Sequence, residues 1–240
     1  MNIKTKEDWQ AERPELVGTL REFGSVMRSR PFDNVQGLRG SSAFALYWFV
    51  KKIQPTVVFE VGVWKGFSTW IIEQAAPHAE VYCFDPIFYL EELIDKKKLG
   101  KTYRSSRAHY KREEFSCAEL EGVVAQYERP LVFFDDHQHK RPRLLQARGF
   151  GIKEIVFDDN TPMPYGHRTL EQVRQNPQTR GWMEEEIEDY EIFPPLWDVD
   201  LRLGTLHIKE DGLNFPVEKV FRDVHEDRKW YSYVTRVRLR

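Results

Sequence analysis

Four short apolar runs punctuate the first two-thirds of the chain, each with a polar stretch before it: Val57–Glu60, Glu80–Phe84, Leu131–Phe134 and Glu154–Phe157. None alternates polar with apolar, so each predicts a strand buried on both faces, as in a parallel sheet covered by helices. Helical patterning fills the intervals. Residues 5–28 read as polar-faced helix broken or restarted at Pro14, and Ala43–Ile53 as an apolar helix capped by Ser41 or Ser42 and stopped before Pro55. Further helices are expected over Phe67–Ala76, Glu91–Lys98, about Ser116–Tyr127 from a capping box Ser116-Cys-Ala-Glu119, and Arg143–Arg148. A polar strand over Thr102–Ser105 is weakly signalled, and residues 29–40, with Pro31, Asp33, Asn34, Gly37 and Gly40, read as a loop.

Strands alternating with helices predict an α/β, Rossmann-like, doubly wound and mostly parallel sheet. The pattern loosens after Thr161, where Pro162, Pro164, Gly166, Pro177, Pro194 and Pro195 interrupt a stretch rich in aromatic and acidic residues. The chain closes on Trp230–Arg240, whose alternation predicts a strand with one wet face, antiparallel to the rest. One domain over 1–240 accommodates this, with an N-terminal helical segment (1–54), a core (55–160), an irregular lid-like insertion (161–215) and a C-terminal strand region (216–240).

Composition narrows the function classes more than it names one. With 41% hydrophobic and 31% charged residues the chain is an ordinary globular mixture, and a net charge of −2 offers no field for nucleic acid or anionic membrane. The first residues lack an apolar leader core and no run is long enough for a membrane span, so a cytoplasmic protein is expected. Cys83 lies in an apolar strand and reads as a buried thiol rather than half of a disulfide with Cys117.

The chemistry concentrates where strands end. Val57–Glu60 runs into a turn with Gly62 and Gly66, and Ser68 lies just inside the next helix. Strand, glycine turn and helix N-terminus form a nucleotide-sized cradle at the carboxyl edge of a parallel sheet. The turn has no Gly-Lys-Ser/Thr, which excludes a phosphate-binding P-loop, and Val63-Trp64 stands where a dinucleotide fingerprint needs its second glycine. Two later strands end in Asp135-Asp136-His137-Gln138-His139 and Asp158-Asp159-Asn160. Carboxylates gathered at one sheet edge repel one another, and a divalent cation relieves that repulsion; hard oxygen donors suit Mg²⁺, Mn²⁺ or Ca²⁺ better than zinc.

Glu60-x-Gly62-x-x-x-Gly66 resembles the first motif of class I S-adenosylmethionine-dependent methyltransferases, and Asp85, ending the next strand, stands where an acid holds ribose hydroxyls. The resemblance covers roughly residues 40–160. It implies S-adenosyl-L-methionine as cofactor, held by Glu60, Gly62, Trp64, Gly66, Ser68 and Asp85. Asp135 with Asp159-Asn160 is similar to the metal triad of cation-dependent O-methyltransferases of the catechol O-methyltransferase-like group. Macrocin-type sugar O-methyltransferases and cephalosporin-hydroxylase-like proteins share the Glu-x-Gly-x-x-x-Gly-x-Ser form. Asp135, Asp159 and Asn160 are therefore the expected metal ligands, with Asp136 and Asp158 as alternatives and Mg²⁺ the expected ion. The catechol-type lysine base is replaced by Gln138, leaving His137 and His139 as candidate proton acceptors.

The resemblance implies transfer of a methyl group to a hydroxyl of a small polar molecule, a sugar or other vicinal diol. The partners expected are that small molecule and, compatibly, a second copy of the chain. Competing classes are a metal-dependent hydroxylase- or hydrolase-like enzyme on the same fold and a non-catalytic S-adenosylmethionine-binding module. Aromatics over 161–215 (Tyr165, His167, Trp182, Tyr190, Phe193, Trp197) and the basic run Lys96–Lys98, Lys101, Arg104, Arg107, Lys111 and Arg112 read more simply as packing and solvated surface than as substrate contacts.

Overall fold

The computed structural model describes residues 1–32, 34, 37–87, 102–162, 164–203, 206–216, 222–226 and 231–240. The expected helix Glu91–Lys98, the lysines 96–98 and 101, Asp33 and Trp230 lie outside the described residues. The N-terminal segment forms β1 (Asn2–Ile3), α1 (Lys6–Ala11), α2 (Arg13–Arg28) and α3 (Gly40–Ile53). Thr5 and Asp8 close a capping box on α1, and Pro14 lies in the first turn of α2, where its missing N–H costs nothing. The strands that follow are β2 (Val57–Val61), β3 (Glu80–Phe84), β4 (His109–Lys111), β5 (Pro130–Phe134), β6 (Glu154–Phe157), β7 (Ile187–Ile192) and β10 (Thr235–Leu239); β8 (Val199–Leu203) and β9 (Leu206–Glu210) form a separate hairpin.

The main sheet has the order β1-β7-β10-β6-β5-β2-β3-β4. Strands β2 to β6 pair in parallel, and β10 runs antiparallel to both β6 and β7. From β2 the chain winds outwards through β3 and β4, then returns to the other side of β2 for β5 and β6. That reversal makes the carboxyl ends of β2 and β5 a topological switch point, where open α/β sheets bind ligands.

Two cores hold the sheet. Val58, Leu131, Phe133 and Val156 face one of them, with α3, α4 (Phe67–Ala75) and the N-terminal residues Trp9, Leu20 and Phe23. Phe59, Val132, Phe134, Ile155 and Phe157 face the other, with Phe115, Val124, Leu144, Leu170 and Met183. Residues 40–50 of α3 are all buried, so this helix is enclosed rather than amphipathic. No described helix is long and apolar enough to cross a membrane.

Several local expectations change. Ser41 and Ser42 lie inside α3, which begins at Gly40; their hydroxyls accept backbone N–H bonds from Leu196 (2.9 Å) and Ser232 (2.9 Å) instead of capping the helix. Residues 102–105 do not form a strand; the edge strand is β4, at His109–Lys111. Ser116 starts no long helix, because Phe115–Cys117 is one 3₁₀ turn and only Glu121–Val124 is α-helical. The segment 161–215 is more regular than its prolines imply: it holds helices Leu170–Gln175 and Pro177–Glu186, strand β7 of the main sheet, and the β8–β9 hairpin. Pro177 sits in the first turn of its helix, where proline is compatible with helical backbone.

Candidate functional site

The glycine turn is fastened from below. Glu60 is completely buried and accepts hydrogen bonds from Ser68 Oγ (2.5 Å), Thr69 Oγ1 (2.6 Å) and Cys83 Sγ (3.3 Å). Glu60 and Ser68, expected as cofactor contacts, thus face each other inside the protein and tie the end of β2 to the first turn of α4. Burial pushes the Glu60 carboxyl up to about 7, against the hydrogen bonds from Ser68 and Thr69, which lower it. A carboxyl raised on folding contributes stability below its unfolded pKa and loses it as pH climbs through about 7. Glu60→Gln keeps the neutral shape, and the Ser68 and Thr69 hydroxyls can rotate to accept from its amide. The difference in unfolding free energy between variant and wild type, read from urea unfolding, is expected to move in favour of the variant from pH 5 to pH 8, by at most about 3 kcal/mol. A pH-independent difference would refute this ionisation.

Both glycines are required by backbone contacts of the protein itself. Gly62 has φ +88°, and a Cβ there would meet the Asp135 carbonyl oxygen at 2.4 Å; Gly66 has φ +81°, and its Cβ would meet the Tyr103 carbonyl oxygen at 2.3 Å. Close packing of the ends of β2 and β5 accounts for Gly62 without a ligand. Between the glycines Trp64 is left-handed (φ 48°) and 43% exposed. Asp85 Oδ2 accepts the backbone N–H of Val63 (3.1 Å) and of Trp64 (3.3 Å), and Oδ1 accepts that of Ile87 (2.8 Å). Asp85 therefore locks the turn, and the exposed side chains of Trp64 and Ile87 flank it.

Across the switch point β5 and β6 end in acids. The strand ladder continues one residue beyond each, Asp135 N–H donating to Val61 O (2.8 Å) and Asp158 N–H to Phe134 O (2.9 Å). Asp135, His137 and Asp159 come together: one ligand-type atom from each lies within 4.8 Å of the others, and His137 Nδ1 is 2.6 Å from Asp159 Oδ2. Burial, then the charges of Asp158 and Asp159, raises the Asp135 carboxyl well above the usual range. Asp158 is pushed up to about 7, first by burial and then by Asp159. The hydrogen bond to Asp159 raises the His137 imidazole, against the effect of its partial burial.

The remaining expected ligands point elsewhere. Asp136 accepts from the buried Arg143 (Nε, 2.7 Å), which also bonds Glu114 (2.9 Å). Asp158 accepts from Ser232 Oγ and is buried. Asn160 is fully buried; its Nδ2 donates to Tyr190 (2.6 Å) and Thr235 (3.0 Å), and its Oδ1 accepts from Leu170 N–H (2.8 Å). The expected amide ligand is thus a brace joining β6, β7, β10 and the helix at Leu170, and an imidazole takes its place in the cluster. His139 is exposed at the start of the helix Lys140–Gly149 and outside the cluster.

One residue went unnoticed in the sequence. Lys140 is 2% exposed, and its positive charge lowers both Asp135 and Asp158. The available signal was its position: a cation in the first turn of a helix opposes the helix dipole and calls for neighbouring negative charge.

No family model matches the chain, and no curated protein matches it. Among solved structures the chain is similar to an S-adenosylmethionine-dependent O-methyltransferase from Thermotoga maritima (10% identity over 92% of this chain and 71% of that one, TM-score 0.47). It is also similar to an O-methyltransferase from Bacillus cereus in complex with SAH (12% identity, 71% and 76% covered, TM-score 0.38). A third is a CmcI structure with SAH (12% identity, 57% and 70% covered, TM-score 0.39). At these scores the likenesses carry no argument about activity, and the Rossmann-like fold stands on the strand order itself.

Proposed function

We propose that this protein is an S-adenosylmethionine-dependent O-methyltransferase assisted by a divalent cation. The observation that carries the reading is the contact between its two halves. The glycine turn after β2 packs directly on Asp135, which begins the acid cluster after β5 and β6. A donor site and an acceptor site at one switch point are what group transfer requires.

The residues present fit both groups. Asp85 retains acceptor capacity on its carboxylate beyond three backbone bonds, enough for a ribose hydroxyl, and exposed Trp64 and Ile87 offer apolar surface for an adenine. Asp135, Asp159 and His137 supply donors to a cation, the two carboxylates fixed by strand ends of a rigid sheet. When bound, S-adenosylmethionine supplies an electrophilic methyl, and a divalent cation lowers the pKa of a hydroxyl it coordinates. The chain's own part is positioning: the turn locked by Asp85 and Glu60 orients the donor side, and the acid cluster orients the acceptor oxygen. With His137 among the cation's donors, His139, exposed at the start of the next helix, is the imidazole left to take the hydroxyl proton. A cation held by Asp135, Asp159 and His137 would favour a substrate with two adjacent hydroxyls, a vicinal diol, and the macrocin-type resemblance favours one on a sugar.

Calorimetry tests the reading. S-adenosylmethionine is expected to bind at micromolar concentration while NAD does not, and Gly66→Val is expected to abolish binding because of the Tyr103 carbonyl. No binding of S-adenosylmethionine or SAH at millimolar concentration would end the proposal.

A further inference from the structure

We propose that Asp135, His137 and Asp159 form a mixed nitrogen–oxygen centre that prefers a first-row transition-metal dication, from Mn²⁺ to Zn²⁺, over Mg²⁺. The inference deepens the cation half of the proposed function and rests on that half alone. Two donors on one ion at about 2.1 Å lie about 3.0 Å apart when adjacent and about 4.2 Å apart when opposed, so atoms spread by up to 4.8 Å need a side-chain shift of about 1–2 Å at the widest pair to share it. His137 turns Nδ1 inward, to 2.6 Å from Asp159 Oδ2. Metal binding would replace the shared proton there and part the two atoms slightly.

The chemistry of the third donor decides the metal class. Asn160, which would have completed an all-oxygen set, is fully buried with its amide engaged by Tyr190, Thr235 and Leu170. The position falls to an imidazole. Mg²⁺ favours oxygen donors and gives up water reluctantly, whereas imidazole suits the later first-row ions.

A second observation points independently to a ligand. Lys140 is 2% exposed, and among the described residues its ammonium makes no hydrogen bond or ion pair; it lies over the Phe157 ring, 5.8 Å from the centroid. Its charge acts on Asp135, Asp158 and His137. An ammonium on so enclosed a side chain favours oxygen acceptors close to it. A water, hydroxide or substrate oxygen carried on a cation would provide one.

The test titrates metal-free full-length protein with MnCl₂, ZnCl₂ and MgCl₂ by calorimetry, and records nitrogen coupling to bound Mn²⁺ by pulsed electron paramagnetic resonance. Mn²⁺ and Zn²⁺ are expected to bind at least about tenfold more tightly than Mg²⁺, with imidazole nitrogen coupled to Mn²⁺. His137→Ala should weaken Mn²⁺ and Zn²⁺ about tenfold or more, change Mg²⁺ less than about twofold, and remove the nitrogen signal. His137→Asn, which tolerates the left-handed backbone at φ 55°, should behave alike and shows that strain is not the cause. Absence of metal binding, equal affinity for the three ions, or a nitrogen signal that survives in the variants would overturn the proposal. S-adenosylmethionine binding by the wild type, measured in the same samples, separates this outcome from failure of the methyl-transfer reading.

Discussion

Asp159→Asn is expected to reduce methyl transfer about 10³-fold while S-adenosylmethionine affinity stays within about twofold. The carboxylate is one of the two anionic donors of the cluster, and Lewis-acid assistance is worth several kcal/mol at about 1.4 kcal/mol per decade of rate. Asparagine suits the position because Asp159 has φ 54°, a region that asparagine enters more readily than alanine does. Loss of the anion also removes the partner of His137 Nδ1, so the imidazole is freed as the carboxylate is lost. Asp85 and the glycine turn lie on the other side of the switch point and are untouched, which is why the cofactor should still bind. Single-turnover rates and calorimetry on one preparation separate the two effects. Full turnover by Asp159→Asn, or by the wild type in excess EDTA, would remove the cation from the mechanism.

Gly62→Ala should destabilise the fold by about 3 kcal/mol and abolish activity even where the protein remains folded. The new Cβ would lie 2.4 Å from the Asp135 carbonyl oxygen and 2.7 Å from its carbon, with φ at +88°. Both neighbours are backbone at the end of β5, so no flexible side chain can yield. Left-handed strain of roughly 1–2 kcal/mol adds to an overpacking cost of about 1–3 kcal/mol. For a chain of this size that is a fall in melting temperature of roughly 6–12 °C. Relief of the clash must move Asp135, which couples the stability loss to the acid cluster. Gly18→Ala is the control: Gly18 lies within α2 with nothing within 4 Å of its Cβ position, and alanine there should stabilise by about 0.5–1 kcal/mol. Equal melting temperatures for the two variants would contradict the close approach of β2 and β5.

Legibility followed burial. β3 and β6 have the bounds their apolar runs predicted, Glu80–Phe84 and Glu154–Phe157, and β2 and β5 differ by one residue each. Strands buried on both faces must be apolar throughout, so they announce themselves. Edge strand β4 is His109–Lys111, largely exposed and polar, and carried no such signature. β7, Ile187–Ile192, holds two glutamates and an aspartate and was hidden among acids, although its inward Ile187 and Tyr190 are buried. Ser41 and Ser42 show the same limit for helix starts. A capping residue is identified by local pattern, but a distant backbone N–H can claim the hydroxyl first, as Leu196 and Ser232 do.

The sequence alone determined where chemistry gathers: the glycine turn after β2, and acids at the tips of β3, β5 and β6. This was readable because strand ends, glycines and doubled acids are local features whose meaning comes from the alternation of strand and helix. Only the tertiary structure decided which of those acids are available. Asp136 is paired with Arg143, Asp158 with Ser232, and Asn160 with residues ten to seventy-five positions away along the chain. Asp135 and Asp159 are left to meet His137, with the buried Lys140 nearby. A carboxylate's neighbours set whether it braces the fold or faces a ligand, and those neighbours arrive from elements whose packing no local pattern encodes.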